Sequence, residues 1–113
     1  MQDGEYRVNG TGRYDRPTPV RPEPCLARLA DRYVRRRHDD AETLEQAIRS
    51  SDHGTVQTLG HCMRGSGAGW GFDGISEIGG RLEEGAEQQD AAACMEALAD
   101  LRAYLRNVEI ATE

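Results

Sequence analysis

Apolar residues recur at steps of three and four along most of the chain after Pro24, which is the spacing of one face of an α-helix. The pattern divides into stretches at about residues 25–50, 53–69, 73–88 and 90–107. No strand-like alternation is visible apart from a short extension at residues 108–110. The chain is therefore predicted to be all-α.

The first stretch is the longest. Its apolar positions are Leu26, Leu29, Tyr33, Val34, Leu44, Ala47 and Ile48. Both one bent helix and two shorter helices fit this spacing. The connections between the later stretches are only a few residues long, which favours antiparallel neighbours. We predict an antiparallel up-and-down four-helix bundle with a short or bent N-terminal helix.

Residues 1–22 differ from the rest of the chain. They mix Gly, Asn, Thr and Asp with three of the four prolines and show almost no apolar periodicity. We expect a flexible N-terminal tail here. The bundle is then a single domain over residues 23–113, as suits a chain of 113 residues.

Composition and charge narrow the class of protein. The net charge of −6 disfavours a nucleic-acid backbone as the main partner. No run of about 18 apolar residues is present and the Met1 end lacks a signal segment, so we expect no membrane segment and a cytoplasmic location. Cys25, Cys62 and Cys94 are odd in number and lack C-x-x-C spacing. We interpret them as reduced thiols rather than as a disulfide framework or a zinc site.

The arginines are concentrated near the N-terminus. Residues 1–37 hold nine Arg against five acidic residues, whereas residues 38–113 hold five Arg against fifteen. The cluster Arg35, Arg36, Arg37 could touch an acidic partner. An arginine run on a helix is more often a solvated face, so both interpretations stay open.

One histidine stands out when the second stretch is placed on a helix of about 100° per residue. The stripe predicted to be buried contains Val56, Leu59, Met63 and Trp70. His61 lies about 160° from Met63 on this helix. It is therefore predicted to point out of the bundle, where a macromolecule can reach it.

Several glycines follow this histidine, and each glycine inside a helix costs about 1 kcal/mol relative to alanine. Gly65 lies one turn after His61 on the same face, where it leaves space for a docking surface, and Arg64 flanks the histidine. Gly67 falls on the buried face, where it lets a neighbouring helix pack closely. The other interpretation is that residues 65–71 are simply a loop.

The segment from His61 to Phe72 resembles the signature of the histidine-containing phosphotransfer (HPt) family. That signature is H-x-[LM]-[KR]-G-[SA], then small residues, an apolar residue, Gly and often Phe. The matching residues are His61, Met63, Arg64, Gly65, Ser66, Trp70, Gly71 and Phe72. The resemblance covers about residues 25–107. It departs from the usual pattern at Arg64, where lysine is commoner, at Gly67, where a second serine is common, and at Cys62, which occupies a variable position.

The resemblance implies that His61 accepts a phosphoryl group from a receiver-domain aspartate and donates it to another. Its partners would be response-regulator receiver domains and a hybrid histidine kinase. A largely neutral imidazole offers a ring nitrogen as the nucleophile. Mg²⁺ would belong to the receiver, so we expect a phosphocarrier with no cofactor of its own and no autonomous kinase activity. We also expect a monomer.

Four further residues receive roles by the same resemblance. Arg64 would supply positive charge for the phosphoryl group, and Gly65 and Ala68 would belong to the receiver docking surface. Glu83, 22 residues after His61, aligns with a family position that can hydrogen-bond the other ring nitrogen and fix its tautomer. An exposed glutamate on a helix is more often merely solvated, and that alternative stays open.

The main alternative function is a non-catalytic helical module that binds a receiver or kinase without carrying phosphate. Joint metal binding by His61 and Cys62 is disfavoured because the two side chains point about 100° apart on a helix. The glycines at residues 65–69 lack the G-x-x-x-x-G-K-[ST] pattern of a nucleotide loop and follow a helical pattern instead of a strand. The phosphorylated domain of a chemotaxis-type kinase is a related possibility. It is weakened because no ATP-binding region follows residue 113, and it stays open because the chain could be a fragment of a larger kinase.

Overall fold

The structure is a computed structural model that describes residues 5–8 and 27–111. Its α-helices are α1 (Ala27–Arg49), α2 (His53–Ser66), α3 (Asp73–Glu87) and α4 (Ala91–Asn107), with a 3₁₀ turn over Ala68–Trp70. Two short strands, β1 (Glu5–Val8) and β2 (Val108–Ala111), pair antiparallel with Val8 opposite Val108. The predicted all-α four-helix bundle is confirmed.

The helices are arranged as an up-and-down bundle in which α1 packs against α2 and α4, and α3 packs against the same two helices. The core is made from one apolar stripe of each helix. Its largest fully buried side chains are Phe72, Leu44, Met63, Ile75, Ile78, Leu82, Leu98, Leu101 and Val56. Aliphatic side chains therefore make up most of this core.

The first helix is a single element of 23 residues rather than two shorter helices. Ala41 is buried between Val34 and Leu44, and it continues the buried stripe past the polar residues 35–40. Leu29 has the spacing of the stripe but is 45% exposed. It lies at the flank of α1 because Ala30 and Tyr33 occupy the centre of the buried face.

Polar caps define where α2 and α4 begin. The side chain of Asp52 accepts a hydrogen bond from the backbone N–H of Thr55, and Asp90 does the same for Ala93. Each cap follows a residue with positive φ, Ser51 at 59° and Gln89 at 54°. The chain therefore reverses within a few residues, as the short connections predict.

The N-terminal tail falls mainly outside the described residues. Within residues 1–22, the structure describes only β1, so the flexible tail and the domain boundary at residue 23 stay predictions. Cys25 is also outside the described part, whereas Cys62 and Cys94 are free cysteines. Among the described helices, none combines the length and apolar character needed to cross a membrane.

Candidate functional site

The exposed face of α2 carries His61, whose side chain is 66% exposed. On the opposite side of the helix, Val56 and Met63 are buried and Leu59 is partly buried against the core. The predicted helical phase is therefore correct within α2, whereas Trp70 packs partly buried against the core from the 3₁₀ turn that follows. His61 is open to a macromolecule, as that phase requires.

Exposure alone does not single out His61, because His38 on α1 is also exposed and His53 at the start of α2 is half-buried. His61 differs from them in having a carboxylate partner on the neighbouring helix. Its Nδ1 lies 3.0 Å from Oε2 of Glu83. Glu83 is only 12% exposed, so it is held in place by its surroundings rather than solvated.

The contact with Glu83 fixes the tautomer of the histidine ring. An ionised carboxylate can only accept a hydrogen bond, so Nδ1 must donate and must carry a proton. In the neutral ring the free lone pair is then on Nε2. The geometry thus leaves the Nε2 lone pair free on the exposed side of the ring, which fits the predicted orienting role of Glu83.

Arg64 shares the same carboxylate. Its Nη1 lies 3.1 Å from Oε1 of Glu83, an ion pair that lacks the alignment of a hydrogen bond. The Arg64 side chain is 57% exposed. Its aliphatic part packs over Gly80, where an added Cβ would lie 3.4 Å from Arg64 Cδ. A positive charge therefore lies beside His61 in the resting protein, held by the group that orients the ring.

Two glycines at the α2–α3 crossing bring Glu83 this close, and sequence reasoning missed both. A Cβ on Gly60 would lie 2.7 Å from the Glu83 nitrogen and 2.8 Å from the Gly79 oxygen. A Cβ on Gly79 would lie 2.5 Å from the Arg64 nitrogen and 2.6 Å from the Gly60 oxygen. The available signal was a second glycine-rich run at residues 79–80, opposite the one that follows His61.

Contacts along this crossing show a regular antiparallel register. Gln57 Nε2 donates a hydrogen bond to Glu87 at 3.4 Å. Gln57 lies one turn before His61 on α2, and Glu87 lies one turn after Glu83 on α3. At the other end, Gly67 approaches the backbone nitrogen of Ser76, and a Cβ there would lie 2.6 Å from it. The predicted close packing at Gly67 is confirmed. The His61–Glu83 contact is therefore one of a series of contacts along the interface between α2 and α3.

The end of α2 differs from the predicted helix over 53–69. The helix stops at Ser66, and Ala68–Trp70 form the 3₁₀ turn. The Ala68 N–H donates to the Ser76 hydroxyl at 2.7 Å, and Gly71 closes the turn with φ 90°, a left-handed conformation that favours glycine. The helical and the loop interpretations of residues 65–71 are thus each correct for part of the segment.

Aromatic packing joins this turn to α1. Tyr33 stacks on both Trp70 and Phe72 with ring centroids 5.8 Å apart, and its hydroxyl lies 2.7 Å from the Ser66 hydroxyl. Two parts of the HPt-like signature, the aromatic pair and the serine, are therefore structural. They fix the end of α2 against α1.

Small residues follow His61 on the exposed surface. Gly65 and Ala68 are exposed, and a Cβ on Gly65 or Gly69 would meet nothing within 4 Å. The two residues assigned to the docking surface therefore lie where a partner can approach, although their binding role stays a prediction. Among the described residues, no group of three or more His, Cys, Asp or Glu could hold a metal ion.

A comparison with protein-family models matches residues 28–111 to the Hpt domain. The chain belongs to the Hpt domain family. This family implies phosphotransfer in two-component systems, and its members interact with receiver domains and kinases. The comparisons with curated proteins and with solved structures gave no match.

Proposed function

We propose that this Hpt domain is a phosphocarrier that accepts a phosphoryl group on His61 Nε2 from one receiver-domain aspartate and donates it to another. The observation that carries the proposal is the hydrogen bond between His61 Nδ1 and Glu83 at 3.0 Å, on an otherwise exposed ring. It supplies a nucleophile of defined tautomer at a surface open to a protein partner.

The transfer step needs no proton to leave the ring. The Nε2 lone pair attacks phosphorus, the N–P bond forms, and the bond between phosphorus and the aspartyl oxygen breaks to release a carboxylate. Nδ1 keeps its proton, so the phosphorylated ring is cationic. The carboxylate of Glu83 stabilises this charge through the hydrogen bond it already accepts. The reverse sequence returns the group to a second aspartate.

Arg64 is suited to neutralise the incoming phosphoryl oxygens. Its side chain is more than half exposed, and it pairs with one oxygen of a carboxylate that His61 also uses. When the ring becomes cationic, Glu83 interacts with it more strongly, and the Arg64 guanidinium can turn toward the phosphoryl group. A loose transition state depends mainly on such positioning and charge neutralisation.

The partner completes the chemistry. A receiver would bring the aspartate, Mg²⁺ and the carboxylates that hold the ion, and a hybrid histidine kinase would feed the relay upstream. Gly65 and Ala68 leave space for the receiver's loops to close over His61. On this proposal the domain works without a cofactor of its own and does not use ATP.

The test is a phosphotransfer assay with purified proteins. The full chain is offered to each phosphorylated receiver and hybrid kinase of its own genome, and the pair that labels it is used for variants. His61→Gln should abolish labelling, whereas His38→Gln, at an exposed histidine without a carboxylate partner in the described part of the chain, should label like the wild type. Binding of a receiver with no label on the wild type would favour a non-catalytic interaction module instead.

A further inference from the structure

We propose that the flank of α1 carrying Leu29, Arg32 and Arg36 extends the docking surface and binds an acidic rim of the receiver. We call this the arginine flank. The inference rests on the proposed function, because it concerns how the partner of His61 is recognised. It concerns residues outside the family signature.

Of the arginine cluster noted in the sequence, only Arg36 belongs to this flank. Arg37 is turned inward, with its guanidinium 4.4 Å from the Tyr33 ring centroid and an ion pair to Asp40 at 3.0 Å. Arg35 pairs with Asp31 at 3.0 Å on the outer side of α1. Arg32 and Arg36 are exposed, and neither forms an ion pair within 4 Å among the described residues, although the Arg36 charge acts on Asp40 at longer range. Their charge is therefore available to a partner.

The arginine flank borders α2, the helix of His61. On a helix of about 100° per residue, the arginine flank and Thr43 lie on one side of α1, to the same side of the buried Tyr33. Thr43 lines an open groove with Thr55, Thr58 and Leu59 of α2. The opposite flank of α1 faces α4, where Glu42 and Glu45 pair with Arg102.

The helix register places Arg36 almost level with His61. The hydrogen bond between the Tyr33 and Ser66 hydroxyls aligns the two antiparallel helices at about one level. From that level, Arg36 is three residues along α1 and His61 five residues back along α2. At about 1.5 Å per residue, their heights differ by only about 3 Å. Neighbouring helix axes are about 8–10 Å apart, well within a standard protein interface patch about 30 Å across.

Charge complementarity identifies the occupant. A receiver that transfers a phosphoryl group presents its aspartate and its Mg²⁺-binding carboxylates at the point of contact, so the surface facing His61 is acidic. Most of this domain is acidic as well, with five Arg against fifteen acidic residues over 38–113. The arginine flank and Arg64 offset that repulsion. Leu29, 45% exposed, adds apolar contact area at the edge.

The experiment compares two double charge reversals that change the net charge equally. Arg32→Glu/Arg36→Glu alters the arginine flank, whereas Arg35→Glu/Arg106→Glu alters exposed arginines on the outer side of α1 and on α4. Each variant is checked by thermal melting and by chemical phosphorylation of His61 with phosphoramidate, which needs no docking. Transfer is then measured from a receiver that labels the wild type, at low and high salt.

We expect the flank variant to lose about tenfold or more in kcat/KM from the receiver, with a weaker salt dependence, and to react normally with phosphoramidate. The control pair should stay within about threefold of the wild type. Equal transfer by the flank variant and the wild type would overturn the inference while leaving the role of His61 intact. An equal loss in both variants would show general electrostatic steering and would also overturn it. A wild type that no receiver labels would overturn the proposed function itself.

Discussion

Replacing Gly60 by alanine should separate α2 from α3, and Gly65→Ala in the same helix provides a matched control. A Cβ on Gly60 would lie 2.7 Å from the Glu83 nitrogen, against an ordinary contact distance of at least 3.4 Å. Because the obstructing atoms include backbone, α3 must retreat by about 0.7 Å or strain must remain. A Cβ on Gly65 meets nothing within 4 Å.

The expected difference in stability follows from two opposing effects. Alanine is favoured over glycine in a helix by about 1 kcal/mol, and this gain applies to both variants, although less fully to Gly65 in the last turn. Overpacking at Gly60 costs about 1–3 kcal/mol. The difference between the variants is therefore about 1–3 kcal/mol, with Gly60→Ala the less stable. For a domain of this size, each kcal/mol corresponds to about 4–8 °C in Tm.

Thermal melting by circular dichroism measures this difference, and the ring NMR signals of His61 report the site. We expect Gly65→Ala to melt at or above the wild-type temperature and Gly60→Ala to melt at least about 4 °C below Gly65→Ala. The Nδ1 proton of His61 should also exchange faster in Gly60→Ala, because Glu83 moves with α3. Equal melting temperatures for the two variants would refute a tight crossing at Gly60.

Three further perturbations have defined outcomes. Arg64→Ala should slow phosphoryl transfer from the receiver about tenfold. The free energy of unfolding should change by less than about 0.5 kcal/mol, because the side chain is mostly exposed. An unfolded variant would instead show that Arg64 has a structural role. Gly65→Gln should obstruct the receiver while stability holds or rises by up to about 1 kcal/mol; normal transfer would remove the steric role. Hydrogen bonds from Thr55 lower the pKa of Asp52 below 3.8. The stability that the ionised cap contributes is present above about pH 4 and is lost as the pH falls through the lowered pKa. Asp52→Asn should retain the cap, so its Tm should fall less than the wild-type Tm as the pH is lowered below about 4. An equal fall of Tm in both proteins would contradict this role of Asp52.

The helices and the exposure of His61 could be predicted because both depend on local periodicity. The phase that puts Met63 in the core also puts His61 outside, whichever helices surround α2. The starts of α2 and α4 follow from local capping by Asp52 and Asp90, whereas α3 begins at Asp73 without a side-chain cap. Leu29 was harder to place, since helical spacing alone does not give the width of the buried face.

The contacts that make the site chemically specific depend on register between helices, which periodicity does not encode. The pairing of Glu83 with both His61 and Arg64 requires α3 to slide to one position along α2 and to approach closely at Gly60 and Gly79. Family resemblance supplied Glu83 as a candidate. Neither spacing nor resemblance indicated that Arg64 shares its carboxylate, because the two residues are distant in sequence.

Phosphorylation at Nε2 of His61 is tested most directly by NMR of the phosphorylated protein with ¹⁵N-labelled histidine rings. We expect one phosphorus atom coupled to Nε2 of His61, with Nδ1 still protonated and hydrogen-bonded to Glu83. In Glu83→Ala the same adduct should form more slowly and lose the protected Nδ1 proton. A phosphoryl group on His38, on His53 or on Nδ1 of His61 would contradict the assignment of His61 Nε2 as the phosphorylated atom.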